Sequence, residues 1–193
     1  MRPFAALFCA ALLTACASAG AGGAAYVAQP PKTAWIVASD GRPVGQATFR
    51  DGPHGVLIHL EFSSGGLPPG WHGLHLHSRG DCSDFAAGFQ ASGGHVGTGP
   101  RVQHGLMNPN GPEAGDLPNI FAPAGGVFAA EVFSPRVTLG PGIAGTASRA
   151  ERLSLLDEDG SALLIHAGPD DQTSQPIGGA GSRIACAAIT PLP

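Results

Sequence analysis

Five of the eight histidines in this 193-residue chain fall where they could share metal ions. In Leu74-His75-Leu76-His77 the two-residue period of a strand sends the leucines to one face and the imidazoles to the other. Two imidazoles on one face can grip one ion, the alternative being an ordinary polar outer face. His95 and His104 lie in a long segment without regular elements, and His166 ends an apolar run. Asp116 closes the turn Gly115-Asp116-Leu117-Pro118 and adds a carboxylate donor. His54, His59 and His72 have no such companions and read as structural or surface residues.

The elements that must position these groups are short strands. From Thr33 onward, strand-like runs alternate with turn signals: 34–37, 44–49, 56–62, 71–77, 127–133, 136–139, 153–156, 162–166 and 183–189. Asp157-Glu158-Asp159-Gly160 is expected to be a hairpin corner. Many short strands at this spacing predict an all-β fold, an antiparallel β-sandwich or Greek-key barrel of about eight strands. Residues 78 to about 126 are the anomaly, rich in Gly, Pro, Asn and Asp with no clear element. A loop that long in a compact domain is functional or misassigned. A second irregular stretch runs from Ala167 to Ser182. Backbone of this kind needs something besides a core to order it, and a metal or a disulfide would serve.

The remainder of the chain bounds the function. Charged residues are 12% and the net charge is −4, so there is no basic footprint for nucleic acid. With 43% apolar residues the chain is not expected to be disordered. Arg2 followed by the apolar stretch Phe4–Leu13 reads as a signal peptide, residues 1–15. Leu13-Thr14-Ala15-Cys16 resembles a lipoprotein cleavage box, which would make Cys16 the site of lipidation and the only link to a membrane. The rival is ordinary cleavage after Ala19. Both routes lead out of the cytoplasm, to the periplasm or cell envelope. Residues 16–32 then form a flexible tether ahead of a single domain over 33–193. Of the four cysteines, Cys82 and Cys186 remain as an even pair in an oxidising compartment, expected to be a disulfide rather than two buried thiols.

Five separated segments, in order, resemble the copper-zinc superoxide dismutase family in its bacterial exported branch, over about 33–190. They are Gly73-Leu74-His75-Leu76-His77, Gly94-His95, Gly115-Asp116-Leu117-Pro118-Asn119, Gly160 to Gly168 (GSALLIHAG) and Gly181 to Cys186 (GSRIAC). Enzymes of that family are known to share the sandwich architecture. The resemblance implies that His75, His77, His95 and His166 bind copper. It makes His95 a bridge to zinc, with His104 and Asp116 completing part of the zinc site. Asp170 would accept hydrogen bonds from imidazoles at both metals and fix their orientation. Cys82 and Cys186 match the family's disulfide.

One position departs from the pattern. Three residues before Asp116, where the family places a third zinc histidine, this chain has Glu113. Zinc accepts carboxylate oxygen, so a His, His, Glu, Asp set is adequate; the other reading is a solvent-facing Glu113 and a lost zinc site. The implied activity is dismutation of superoxide to dioxygen and hydrogen peroxide by redox cycling of copper. His95 would carry a proton to the product and Arg183 would attract the anionic substrate. No lysine lies between His166 and Arg183 to extend a positive funnel. The alternative function is a non-enzymatic copper-binding envelope lipoprotein with a degenerate zinc site.

Overall fold

The structure is a computed structural model that describes residues 26–147 and 150–191. The signal peptide, Cys16 and most of the tether lie outside the described residues. The described residues hold eleven strands: β1 Lys32–Ala38, β2 Pro43–Gly52, β3 Gly55–Phe62, β4 Gly70–His72, β5 Leu74–His77, β6 Ile120–Ala122, β7 Phe128–Ser134, β8 Val137–Thr138, β9 Leu153–Ser154, β10 Ser161–His166 and β11 Arg183–Ile189. The only helical turns among the described residues are two short 3-10 segments, Phe85–Ala87 and Gln90–Ser92. The fold is all-β, with one curled antiparallel sheet of seven strands in the order β5-β10-β11-β1-β2-β3-β7.

Alternation builds the core. On β3, Val56, Ile58, Leu60 and Phe62 are buried while Glu61 faces out. β10 differs, because all six of its residues are buried. Leu163 and Ile165 join the main core, whereas Ala162 and Leu164 pack with Phe89, Cys186 and Cys82 in a second, smaller cluster. The outer face of β10 is therefore covered by the long loop. The Cys82–Cys186 disulfide fastens that loop to β11 across 104 residues of sequence.

Two sequence expectations change. The run 71–77 is not one strand: β4 pairs with β6, and β5 pairs with β10. Gly73 breaks it, exchanging backbone hydrogen bonds with Gly168 and His166. A Cβ there would stand 2.9 Å from that of Ala180, so only glycine allows this approach. Asp157–Gly160 is a turn but not a hairpin corner, because β9 runs parallel to β8 while β10 pairs with β5 and β11. The 78–126 stretch is irregular as expected except at the two 3-10 turns and at β6, whose apolar Ile120 and Ala122 are buried against the core.

A buried ion pair closes the opposite end of the sheet. Arg152 reaches Asp51 at 3.0 Å and donates to the carbonyls of Val137 and Pro53. Neither residue stood out in the sequence.

Candidate metal centre

β5 delivers His75 and His77 to the outer side of the sheet, while Leu74 and Leu76 are fully buried in the core beneath. β10 pairs with β5 and ends at His166, which alternation puts on the same outer face as Ala162 and Leu164. The long loop brings His95 back to bridge His77. The ring centroids of His75 and His95 are 4.3 Å apart, and those of His75 and His166 are 4.8 Å apart. All of these rings are buried.

Each ring has one anchored nitrogen. His77 Nδ1 donates to the Gly93 carbonyl at 2.8 Å, and His166 Nδ1 donates to the Gly181 carbonyl at 2.9 Å. His75 Nε2 meets the Asp170 carboxylate at 2.8 Å, and His95 Nδ1 meets Glu113 at 2.7 Å. A carbonyl only accepts, so in His77 and His166 the proton sits on Nδ1 and Nε2 is a bare lone pair. Among the described residues, the buried side-chain nitrogens without a hydrogen-bond partner are His75 Nδ1, His77 Nε2, His95 Nε2 and His166 Nε2, one from each ring. Each left empty would cost about 1–3 kcal/mol. Donor atoms of His75, His77 and His166 lie within 4.8 Å of one another, with the His95 ring against those of His75 and His77, and such a set of imidazoles fits a copper ion. Burial, aided by the positive fields of His95 and Arg183, pushes His77 down to about 2. Burial likewise brings His166 down to about 4, so both rings are neutral and ready to coordinate near neutral pH.

A second cluster shares the His95 ring. Donor atoms of His95, His104, Glu113 and Asp116 lie within 4.8 Å of one another. Glu113 is 6% exposed, so it is not the solvent-facing residue of the rival reading. Asp116 is aimed by its other oxygen, which accepts from the backbone N–H groups of Gly105 and Glu113. Burial opposes charge on His104, but Asp116 and Asp170 outweigh it and push the ring up to about 10. These two acids are held below the usual carboxylate range; burial works against this, and hydrogen bonds led by that of His104 overcome it. Two imidazoles and two carboxylates at tetrahedral reach suit zinc.

Asp170 joins the clusters, meeting His75 with one oxygen and His104, at 3.1 Å, with the other. Asn119 clasps its backbone in both directions. Gly178 lies against the carboxylate so closely that any Cβ would collide with it.

Arg183 begins β11, three residues before Cys186. It is pinned by bonds to the Phe89 carbonyl at 2.7 Å, the Gly93 carbonyl at 2.9 Å and the Ser92 hydroxyl at 3.2 Å. With His77, His95, Thr98, Glu113 and Ile177 it lines a cavity of about 250 Å³. A larger depression of about 540 Å³, between Trp35 and Phe128, has no histidine in its wall and Glu61 as its one charged residue.

Residues 44–189 match the model of the copper/zinc superoxide dismutase family. A copper-zinc superoxide dismutase of Caulobacter vibrioides is 48% identical over 157 residues, 81% of this chain and 84% of that protein. The chain belongs to the copper/zinc superoxide dismutase family. A second copper-zinc superoxide dismutase, from Aquifex aeolicus, is 40% identical over 80% of this chain and 83% of its own. Among solved structures, a superoxide dismutase-like protein from Bacillus subtilis superposes with a TM-score of 0.68 at 32% identity, covering 82% of this chain and 97% of that one. The Cu/Zn superoxide dismutase of Brucella abortus gives 0.57 at 27% identity, over 83% and 99%.

For a copper/zinc superoxide dismutase, the supporting residues were the hard part to see in sequence. His72 is buried, with Nδ1 2.7 Å from the His166 carbonyl and Nε2 2.8 Å from that of Pro68, so it holds the end of β10. Its place on β4 gave no hint of this. Asn119 was visible in the Gly-Asp-Leu-Pro-Asn segment, and its clasp on Asp170 was not. The carbonyls of Phe89, Gly93 and Gly181 carry no side-chain signal at all.

Proposed function

We propose that this chain dismutes superoxide at a copper site formed by His75, His77, His95 and His166, beside a zinc site formed by His95, His104, Glu113 and Asp116. Copper supplies the two oxidation states that turn one superoxide into dioxygen and the next into hydrogen peroxide. The observation that carries the reading is the set of four buried, unpartnered nitrogens, one from each ring. Arg183 binds the anion: its guanidinium lines the same cavity as His77 and His95, and three acceptors fix its direction. His95 holds and passes a proton at Nε2, within that cavity, while Glu113 and Asp116 keep its Nδ1 side in place. Asp170 keeps His75 and His104 oriented toward the two ions.

A copper-holding protein without activity is disfavoured, since storage has no use for an arginine aimed into the cavity. Export fits the family's bacterial members, which are typically periplasmic, and the Cys82–Cys186 bond suits an oxidising compartment. Residues 1–15 as signal peptide and lipidation at Cys16 complete this reading. The test is reconstitution of the oxidised protein with one copper and one zinc, with metal content and superoxide decay measured together. Dismutation well above that of free copper is expected. A protein that binds copper yet adds nothing to the activity of the free ion would overturn the assignment.

A further inference from the structure

Glu113 has a second environment besides the zinc cluster: it lines the cavity that holds Arg183. The other wall residues are Gly94, Thr98, Pro176, Ile177 and two imidazoles, His77 and His95, that copper would hold neutral, so in the copper-bound protein Arg183 and Glu113 are the cavity's two full charges, and they oppose each other. No lysine and no second arginine shares the cavity wall among the described residues. The loop 167–182 that flanks the cavity contains no lysine or arginine and brings Asp170 and Asp171. Burial pushes the Arg183 pKa down, and the negative charge of Asp84 opposes this. An anion approaching the guanidinium therefore meets a negative wall unless something cancels Glu113.

We propose that Glu113 makes anion capture depend on occupancy of the second metal site, its carboxylate repelling anions from the Arg183 cavity when that site is empty and being neutralised when a divalent cation fills it. This rests on the proposed roles of Arg183 and Glu113. A histidine at this position would bring no such charge, so the dependence belongs to this chain's own donor set. The carboxylate is 6% exposed and is held by His95 at 2.7 Å, so it cannot swing out to solvent without giving up that bond. A charge kept at a cavity wall with little water around it acts at longer range and with less screening than one at the open surface.

Azide serves as the anionic probe, its affinity read at low ionic strength from the copper absorption bands rather than from turnover. Three forms are compared: copper-only protein, copper-plus-zinc protein and copper-only Glu113→Gln, each with metal content checked. Zinc loading is expected to tighten azide binding by about fivefold, the effect of one unit charge across a partly hydrated cavity. Glu113→Gln is expected to give a similar gain without zinc, and Glu113→Ala serves as a second neutral variant should the first fold poorly. Azide binding equally to the copper-only native protein and to both neutral variants overturns the proposal. Failure of the underlying reading looks different: no zinc uptake refutes Glu113 as a ligand, and the copper-only comparison still decides its role at the cavity wall.

Discussion

A guanidinium with three backbone or hydroxyl acceptors is a directed charge rather than a mobile one. Arg183 spends its NH1 and NH2 groups on Phe89, Ser92 and Gly93, which leaves its position fixed at the cavity beside His77 and His95. The chain is acidic overall, at −4, so any attraction for superoxide must be local. Replacing Arg183 by Ala should lower the dismutation rate roughly tenfold at low ionic strength and by a smaller factor at high, because salt screens the attraction that has been lost. Stopped-flow superoxide decay across a salt series measures this. An equal loss at every ionic strength would mean that the residue works by packing alone. The residue types were legible at this scale: five histidines, three carboxylates and one arginine stood out in the sequence. Which ring nitrogen faces which ion was not, since tautomer follows from carbonyls such as Gly93 and Gly181 that any residue could supply.

β10 and β11 were placed closely by their apolar runs, and β5 by its alternation. The division between β4 and β5 was hidden because Gly73 reads as a neutral link in sequence, and its reason is a contact with Ala180 more than a hundred residues away. The long loop gains order in the same way. It is tied at Leu76 by bonds to Gly115 and Val96, at Ser78 by Gly94, and at β11 by the disulfide. Breaking that bond with Cys82→Ala and Cys186→Ala together should lower stability by about 2–4 kcal/mol, the usual contribution of a native disulfide. Activity should fall further than copper content does, because the loop also carries the Phe89 and Gly93 carbonyls that hold Arg183. Chemical denaturation with metal analysis and activity on the same sample distinguishes the two effects; parallel loss of copper and activity would count against the link.

Over the whole molecule the buried rings fall into two groups with opposite pH responses when no metal is bound. Burial lowers His75, His77 and His166, the latter two to about 2 and about 4. Below about pH 6.5 the unfolded chain takes up protons on these rings that the folded chain refuses, so stability falls as the solution is acidified. His95 and His104 are raised; burial opposes this, but their carboxylate neighbours prevail, taking His104 up to about 10. Above about pH 6.5 the folded chain holds protons there that the unfolded chain has released, so stability also falls toward pH 10. The denaturation midpoint of the metal-free protein should therefore peak near about pH 6.5. Copper and zinc should raise the curve and flatten its alkaline limb by taking the place of those protons. A midpoint that climbs steadily from acid to alkaline pH would contradict this account.

Sequence alone determined that the protein is all-β, that Cys82 and Cys186 make a pair, and which side chains could bind metal, because residue type and two-residue alternation are local properties. Tertiary structure decided that His75, His77, His95 and His166 each turn one free nitrogen inward, and that Glu113 is buried. It also decided that Asp170 spans both clusters. Those outcomes depend on where Gly73, Gly178 and the loop carbonyls come to rest against distant chain, and contacts of that kind leave no period or composition in the sequence to read.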